Sequence, residues 1–219
     1  MHYLFGIGLA LWFELQNIPC IHGNSLVADN QAIALLGASQ TGKSTLTAAL
    51  LQNEFSFLTD DLIVPRQASE DWHIYPAPGP LRMWPASIQH FLPDVNIAAF
   101  SQVHASIKKC QIPIEATGLG KICQEHKPLK RIYLLGRDCT GKSKGIDIKT
   151  LKPAEALVTL IANSLSGGVL SPLGVEQSRL AVLAQLAKQV PVKRIHYPNG
   201  YQYLTRVKDA VIADLSARP

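Results

Sequence analysis

Cysteine is scarce in this chain of 219 residues, and it occurs in no metal-binding pattern. No two cysteines have the C-x-x-C spacing of a zinc site, and no cluster of histidines accompanies them. We therefore expect no zinc centre, and we expect free thiols in a reducing cytosol. The four cysteines are Cys20, Cys110, Cys123 and Cys139.

Long apolar runs are also missing, and the run near the start of the chain extends only from Tyr3 to Phe13 before Glu14 ends it. A membrane-spanning helix needs about 20 apolar residues, so this run is too short to cross a bilayer. An export signal would carry Lys or Arg ahead of the run, and none is present there. We expect a cytoplasmic protein with no membrane anchor, in which residues 4–15 form a buried helix. The sequence leaves open whether this helix packs inside the protein or between subunits of a homo-oligomer.

Charged residues make up only 17% of the chain, and the net charge is a modest +5. No run of Lys and Arg and no basic stripe interleaved with aromatic residues occurs, so we expect no nucleic-acid partner. We interpret Lys108-Lys109 as solvated surface. Apolar residues make up 47%, which is typical of a folded domain. Because no repeat and no obvious linker divides the chain, we expect residues 1–219 to form a single domain.

A phosphate-binding motif occurs at Gly37–Ser44, which matches the pattern G-x-x-x-x-G-K-[ST]. Ahead of it, residues 32–36 form a short apolar run that is typical of a buried strand. Behind it, Leu46, Ala49 and Leu50 recur at helical spacing. The sequence therefore predicts a strand, a loop and a helix, which is the context in which this motif binds phosphate.

The residue types in this loop suit a nucleotide. Glycine permits the backbone angles at which successive amides point at one phosphate, and the start of the following helix adds a positive dipole end. Lys43 supplies a mobile cation for the outer phosphates, and Ser44 offers its hydroxyl to Mg²⁺. The residues that we predict to bind the nucleotide are Gly37, Ser39, Gln40, Thr41, Gly42, Lys43, Ser44 and Thr45.

The same pattern occurs a second time, at Gly136–Ser143. A strand-like run also precedes this copy, but residues 144–149 alternate in polarity, and Gly145 stands where a first helical turn would be. Without a helix behind it, the loop lacks the dipole and the ordered amides that bind phosphate. We predict that residues 132–135 and 146–148 form a hairpin with a polar connection, and that this second match binds no phosphate.

The segments around the first loop predict the neighbourhood of its strand. Residues 25–27 and the turn at Asp29-Asn30 predict an antiparallel partner just upstream. Ordinary doubly wound nucleotide binders pair the loop strand in parallel, so we expect a mixed sheet instead. Downstream, residues 55–58 predict a strand that ends at Asp60-Asp61. Residues 93–120 show little pattern beyond a possible edge strand near residues 112–115.

Three pieces of the sequence together resemble a known family. They are Ile21-His22-Gly23, the loop at residues 37–44, and Thr59-Asp60-Asp61-Leu62. This combination resembles the catalytic domain of HPr kinase/phosphorylase and, more closely, the shorter HPr-serine-kinase-like proteins. Residues 78–85 also resemble the segment that follows the aspartates in those proteins. The resemblance implies an α/β fold, namely a P-loop kinase domain of the HPr kinase and phosphoenolpyruvate carboxykinase type, with a mixed sheet flanked by helices.

The resemblance implies that the protein uses ATP and Mg²⁺ to phosphorylate a serine-type hydroxyl on a peptide, a protein or a small molecule. We expect Asp60 to take or orient the proton of the hydroxyl. We expect Asp61, together with Ser44, to bind the metal. His22 is predicted to hold a phosphate oxygen or to orient Asp60, and Arg82 to clamp phosphate or substrate.

Other interpretations of these residues remain open at the level of sequence. The acidic pair is also compatible with a turn at a strand end, His22 with a core histidine, and Arg82 with a surface ion pair. Residues 80–83 lack the Glu of the family's E-x-R-G signature, although Arg82 is compatible with its Arg. The sequence therefore leaves open whether the protein has phosphorylase activity and whether HPr is its acceptor. The alternative function is an ATP-binding regulator, or an accessory protein of peptide maturation, that transfers no phosphoryl group itself.

Overall fold

The computed structural model describes residues 2–77, 79–104, 107–141, 145–164 and 174–217. Within these ranges the α-helices are α1 (His2–Leu15), α2 (Lys43–Leu51), α3 (Pro85–Phe91), α4 (Pro153–Ala162), α5 (Glu176–Gln189) and α6 (Leu204–Ser216). The strands are β1 (Ile21–His22), β2 (Asn24–Ala28), β3 (Gln31–Leu36), β4 (Ser56–Thr59), β5 (Leu62–Ile63), β6 (Pro65–Ala68), β7 (Asp71–Ile74), β8 (Leu81–Met83), β9 (Gln102–His104), β10 (Ile107–Ile112), β11 (Lys121–Ile122), β12 (Lys127–Asp138), β13 (Asp147–Thr150) and β14 (Val192–Pro198). Short 3₁₀ turns occupy Ile97–Ala99 and Tyr201–Tyr203.

The largest sheet is mixed and has β3 near its centre, in the order β11-β4-β2-β3-β12-β14-β13. β2 pairs with β3 in the antiparallel direction, as the sequence predicts. On the other side, β12 pairs with β3 in parallel and β14 pairs with β12 in parallel. The hairpin of β6 and β7 joins the first residues of β12. The prediction of a mixed sheet flanked by helices is confirmed.

Helices cover both faces of this sheet because its central strands are apolar on both faces. On β3, Ile33 and Leu35 belong to a core cluster that includes residues of α2 and α6. Ala32, Ala34 and Leu36 point the other way and belong to a cluster with residues of α4 and α5. A strand that is buried on both faces has a continuous apolar sequence rather than an alternating one, which explains the run before the loop.

A second, smaller sheet has the order β8-β10-β9 and packs on the side of α2. The edge strand predicted near residues 112–115 is wrong in two respects. The strand lies earlier, at Ile107–Ile112, and it is the central strand of this sheet rather than an edge. A separate short ladder joins β1 to β5.

The first helix is present, but the prediction that it is buried is wrong. Three apolar side chains are about half exposed, namely Leu9 at 50%, Trp12 at 55% and Leu15 at 49%. The Glu14 carboxylate, in contrast, is buried and pairs with Arg179 of α5. The buried side of this helix therefore includes an ion pair, where the sequence predicted only apolar contacts. Among the described residues, no helix is long and apolar enough to cross a membrane.

The hairpin predicted from residues 132–135 and 146–148 is also wrong, because β14 lies between β12 and β13. β14 buries alternate side chains and takes the interior position, whereas β13 is largely exposed and takes the edge. The prediction that no helix follows the second motif directly is confirmed as far as the chain is described, since the next helix begins at Pro153. Lys142 and Ser143 of that motif lie outside the described residues.

Candidate functional site

The loop between β3 and α2 has the order of strand, loop and helix that the sequence predicts. Gly42, which precedes α2, has a φ of 100°, and a Cβ there would lie 2.8 Å from the Tyr197 hydroxyl, so both backbone and space require glycine. Gln40 has a φ of 68°, which is uncommon for a residue with a side chain. Gly42 is the N-cap of α2, and among the described residues no side chain caps the helix with a hydrogen bond. The first backbone N–H groups of α2 are therefore available to an anion.

Lys43 bends back over this loop. Its Nζ donates to the carbonyl oxygen of Gly37 at 2.6 Å and to that of Ala38 at 3.2 Å. Burial lowers the pKa of Lys43, and the charge of Lys109 lowers it further, whereas two nearby carboxylates oppose the shift. The ammonium group therefore lies in a partly desolvated position close to both the loop and acidic groups.

Two side chains that the sequence did not single out hold the loop in place. Tyr197, near the end of β14, donates its hydroxyl to the carbonyl oxygen of Thr41 at 2.7 Å. Arg137, near the end of β12, donates Nη2 to the carbonyl oxygen of Gln40. Thr41 in turn donates its own hydroxyl to the carbonyl oxygen of Ala38 at 2.8 Å. The conformation of the loop therefore depends on β12, which pairs with β3, and on β14, the next strand along the sheet.

The acidic pair follows β4, and a single residue of β8 fixes both carboxylates. The backbone N–H of Arg82 donates to Asp60 Oδ2 at 2.9 Å, and its guanidinium Nη1 donates to Asp61 Oδ2. Asp61 has a φ of 75°, a conformation that most side chains avoid. Strained backbone of this kind is concentrated at functional sites, so the pair is a candidate for more than a turn.

Asp60 differs electrostatically from an ordinary aspartate. Burial raises the pKa of Asp60 to about 6. The hydrogen bond from the Arg82 amide opposes this rise, while the negative charge of Asp61 adds to it. A carboxylate with this pKa is ionised at pH 7 and is a stronger base than an unperturbed aspartate, which suits it to accept a proton.

His22 reaches the acidic pair because Gly23 follows it. A Cβ on Gly23 would lie 2.6 Å from the carbonyl oxygen of Leu35 and 2.7 Å from Leu36 Cδ2, so only glycine lets this segment pass so close to β3. His22 Nδ1 lies 3.1 Å from the carbonyl oxygen of Asp61 and 3.3 Å from its Oδ1. Burial lowers the pKa of His22, although the Asp61 charge opposes this, so the neutral imidazole predominates at pH 7.

A cavity of about 430 Å³ brings most of these groups together. The predicted residues that line it are His22, Ser39, Gln40, Gly42, Lys43, Ser44, Thr45, Asp60 and Asp61. Gly37, Thr41 and Arg82 are not part of this lining. Arg82 instead lines a second cavity, which also includes Asp60.

Asn24 is a further cavity residue that the sequence analysis missed. It is only 1% exposed and lines the larger cavity, and its Nδ2 has no hydrogen-bond partner in the described part of the chain. A buried donor without a partner costs about 1–3 kcal/mol. A ligand that accepts a hydrogen bond in this cavity would remove that cost. The available signal was the position of Asn24 directly after the His22-Gly23 dipeptide.

Lys109 of β10 is the second missed residue. It lines the larger cavity, and its ammonium lies over the ring of Trp84, 5.8 Å from the centroid. The interpretation of Lys108-Lys109 as solvated surface is wrong for Lys109. Lys108 is exposed while Lys109 is half-buried, because successive residues of a strand point to opposite faces. The strand itself had to be recognised before this alternation could be used.

Another part of the wall of the larger cavity is aromatic and polar. It is formed by Asn199, Gly200, Tyr201 and Leu204, together with Trp84, Ala86 and Ser87. The Tyr201 ring stacks on His90 with 4.2 Å between centroids, and its hydroxyl lies 3.2 Å from Ser87 Oγ. Ser87 Oγ lies 3.1 Å from Thr45 Oγ1. This chain of contacts connects the aromatic wall to α2.

The groups that would hold a metal ion are few. Within the described residues, no three His, Cys, Asp or Glu side chains form a preformed metal cluster. The cavity offers the Ser44 hydroxyl and the carboxylates of Asp60 and Asp61. Mg²⁺ usually binds through one or two carboxylates together with phosphate oxygens and water. This donor set therefore fits Mg²⁺ that arrives with a nucleotide.

Comparisons with known proteins find similarity at the level of solved structures and not at the level of sequence. No protein-family model matches the chain, and no curated protein sequence matches it. The solved structure of the HPr(Ser) kinase/phosphatase from Coxiella burnetii aligns with 89% of this chain and 95% of its own, at 14% sequence identity and a TM-score of 0.45. A likeness at this level carries no argument about function. The family resemblance read from the motifs stays a prediction, and the functional argument depends on the site itself.

Proposed function

We propose that this protein is a Mg²⁺- and ATP-dependent phosphotransferase that phosphorylates a serine-type hydroxyl. The observation that supports this most is the single cavity in which the loop before α2, Lys43, Ser44 and the pair Asp60-Asp61 meet. Phosphoryl transfer depends on positioning and on charge neutralisation more than on covalent chemistry by the protein. The cavity supplies both, and it supplies a base next to the cations.

The polyphosphate would bind the amides at the start of α2. Lys43, which now donates to the loop carbonyls, is placed to contact the outer phosphates. Lys109 adds a second cation from a separate sheet, and the Asn24 side-chain amide, which has no partner among the described residues, adds a buried donor. An anion in this cavity therefore meets donors from three directions, which a turn without a ligand would not require.

Ser44 and Asp61 are the residues that would hold Mg²⁺. The ion would neutralise charge on the phosphate oxygens when it is bound. Asp61 is kept in place by the Arg82 guanidinium on one side and by His22 on the other. We assign Arg82 and His22 positioning roles toward Asp61, because both contact its carboxylate.

Asp60 is the residue that would accept the proton of the acceptor hydroxyl. Its Oδ2 is fixed by the Arg82 amide, and its raised pKa suits a general base at neutral pH. Tyr201 and Leu204, which line the same cavity, would cover the nucleobase, since aromatic and apolar surface suits a flat ring. The nucleotide would therefore extend from these two residues to the acidic pair.

The test is transfer of phosphate from labelled ATP to a panel of serine-containing peptides, proteins and small molecules. Asp60→Asn should lower the transfer rate by about 10²–10⁴ while nucleotide binding, measured by calorimetry, stays within a few fold. Asp94→Asn, which changes an exposed aspartate outside both cavities, is the matched control and should behave as wild type.

The alternative is a nucleotide-binding regulator or an accessory protein of peptide maturation. It would bind ATP through Lys43 and Ser44 but would need no base. If no acceptor is labelled and Asp60→Asn leaves every measured property unchanged, the phosphotransferase proposal is wrong and the regulator is favoured.

A further inference from the structure

A second cavity, of about 190 Å³, adjoins the nucleotide cavity, and Asp60 belongs to both. The other residues that line it are Ala77, Gly79, Pro80, Arg82 and Gln111. None of residues 37–45 lines it. A nucleotide that occupies the loop before α2 would therefore leave the smaller cavity free for a second molecule.

The shared carboxylate gives the two cavities a common chemistry. Asp60 Oδ2 accepts the backbone N–H of Arg82, whereas Oδ1 has no hydrogen-bond partner within the described residues. A hydroxyl that enters through the smaller cavity can donate its proton to this carboxylate while its oxygen faces the larger one. The acceptor then reaches the base without displacing the nucleotide.

The smaller cavity also offers donors for an anionic group. A guanidinium carries five N–H donors, and among the described residues the side chain of Arg82 has a partner only at Nη1, which binds Asp61. The side-chain amide of Gln111 has no hydrogen-bond partner in the same part of the chain, and Gln111 stands opposite Arg82 in the pairing of β10 with β8. A guanidinium and an amide side by side suit a carboxylate.

The size of the smaller cavity limits what can enter it. Pockets that enclose drug-sized ligands measure about 300–1,000 Å³, well above the 190 Å³ found here. Among the described residues, the lining contains no aromatic ring and no long aliphatic side chain, and besides the polar groups it consists of Ala77, Gly79 and Pro80. Size and lining together favour a compact polar molecule.

We propose that the smaller cavity binds the acceptor, and that the acceptor is a small hydroxy acid such as free L-serine. Its hydroxyl would meet Asp60, and its carboxylate would meet Arg82 and Gln111. This inference rests on the proposed phosphotransferase function. In the transfer, the acceptor O–H bond breaks and Asp60 takes the proton, the oxygen bonds to the γ-phosphorus of ATP, and the bond from that phosphorus to the β,γ-bridging oxygen breaks. The products are O-phosphoserine and ADP.

The experiment measures O-phosphoserine formed from ATP and L-serine, with L-serine amide and the tripeptide Ala-Ser-Ala as competing acceptors. L-serine should have the highest kcat/KM, because among the three acceptors only its serine residue has a free carboxylate. The amide replaces this carboxylate, and the tripeptide holds it in a peptide bond. Gln111→Leu should raise the KM for L-serine about tenfold, the effect of one hydrogen bond to a charged group, while the KM for ATP stays within twofold.

Two further variants separate binding from folding. Gln102→Leu changes an exposed glutamine of β9 in the same small sheet and should leave both KM values unchanged. Gly79→Leu places a side chain where a Cβ meets no atom within 4 Å, so it should fold normally and also raise the KM for L-serine. The proposal requires that the KM for L-serine rises while the KM for ATP does not, since a general loss of structure would raise both KM values.

The possible failures differ between this inference and the proposed function. Phosphorylation of the tripeptide without phosphorylation of L-serine would overturn the inference and keep the phosphotransferase. An unchanged KM for L-serine in both Gln111→Leu and Gly79→Leu would also overturn it. An absence of transfer to every acceptor, with ATP still bound, would overturn both.

Discussion

The two sequences that match the phosphate-loop pattern, at residues 37–44 and 136–143, start from neighbouring parallel strands and differ in what their residues do. The first leaves β3 at Leu36, turns through backbone that only glycine tolerates at Gly42, and enters α2. The second begins inside β12, where Gly136 is still paired with His196 of β14. No helix follows it until Pro153, among the residues that the structure describes.

The second match also serves the first. Arg137, its second residue, donates to the carbonyl oxygen of Gln40 in the first loop. Asp138 accepts hydrogen bonds from the amide and the hydroxyl of Thr140, at 2.7 and 2.6 Å, which ends the strand with a local turn. From this difference we expect the pattern to bind phosphate only where a helix start supplies amides behind it.

Substitution of the lysines in the two motifs should give the largest difference in the rate of phosphoryl transfer. Lys43→Ala should lower phosphoryl transfer by about 10²–10³, because it removes a group that stabilises charge on the transferred phosphate. Lys142→Ala, the same change at the equivalent position of the second match, should leave transfer nearly intact. Initial rates with labelled ATP give the answer, and equal losses in the two variants would contradict the distinction drawn here.

A smaller effect is expected from the lysines of β10. Lys109→Met should raise the KM for ATP about tenfold, because Lys109 lines the larger cavity, in which we propose that ATP binds. Lys108→Met removes the same charge from the exposed face of the same strand and should change the KM by less than twofold. If both variants behave alike, the effect comes from the overall charge of the protein and Lys109 has no direct role.

The contact between the two motifs should have a weaker effect still. Arg137→Met removes the hydrogen bond to Gln40, which is worth about 1 kcal/mol, and should weaken ATP binding about fivefold in a calorimetric titration. Arg194→Met changes an exposed arginine of the adjacent strand β14 and serves as control. Unchanged affinity in Arg137→Met would show that the loop keeps its conformation without this contact.

The smallest effect on transfer is expected outside both cavities, where Asp214 of α6 binds Arg131 and Tyr133 of β12 and Lys193 of β14. Asp214→Asn should lower the free energy of unfolding by about 2 kcal/mol, measured by denaturant titration, and leave transfer at 25 °C unchanged. Asp209→Asn changes an exposed residue of the same helix. It should change the free energy of unfolding by less than about 0.5 kcal/mol, as is usual for a surface substitution.

The difference in stability between the wild type and Asp214→Asn should also depend on pH. Burial by itself raises the pKa of Asp214, but hydrogen bonds from Lys193, Tyr133 and Arg131 outweigh burial and lower the pKa below its ordinary value. A depressed pKa in the folded state means that the stabilisation is present above the unfolded pKa and is lost as the pH falls through the folded one. The wild type should therefore lose part of its advantage over Asp214→Asn below about pH 4. A constant difference down to pH 2 would contradict this.

The local parts of the fold could be predicted from the sequence, and the long-range parts could not. Residues 32–36 and the helical spacing after Lys43 predicted β3 and α2, because strand and helix periods are local properties. The order of β12, β14 and β13 could not be predicted, because β14 reaches its place between the other two only after about 40 further residues of chain. The half-exposed face of α1 was missed because a helix that is apolar all round does not show which of its faces is buried until its neighbours are known.

The candidate site divides in the same way. The loop, the acidic pair and His22 were found from short motifs, and the structure places them around one cavity. Lys109 and Tyr197 were missed because they come from strands far along the chain and belong to no motif. Arg137 was missed because it lies in the second match, for which the sequence predicted no role in phosphate binding. Only the pairing of the strands brings such residues to the loop.

The most direct test of the central claim is a crystal structure with Mg²⁺ and a non-hydrolysable ATP analogue. We expect the β- and γ-phosphates to contact the amides at the start of α2 and Nζ of Lys43, with the metal between Ser44 and Asp61. Phosphates bound at residues 136–143, or seated away from Asp60 and Asp61, would contradict the account.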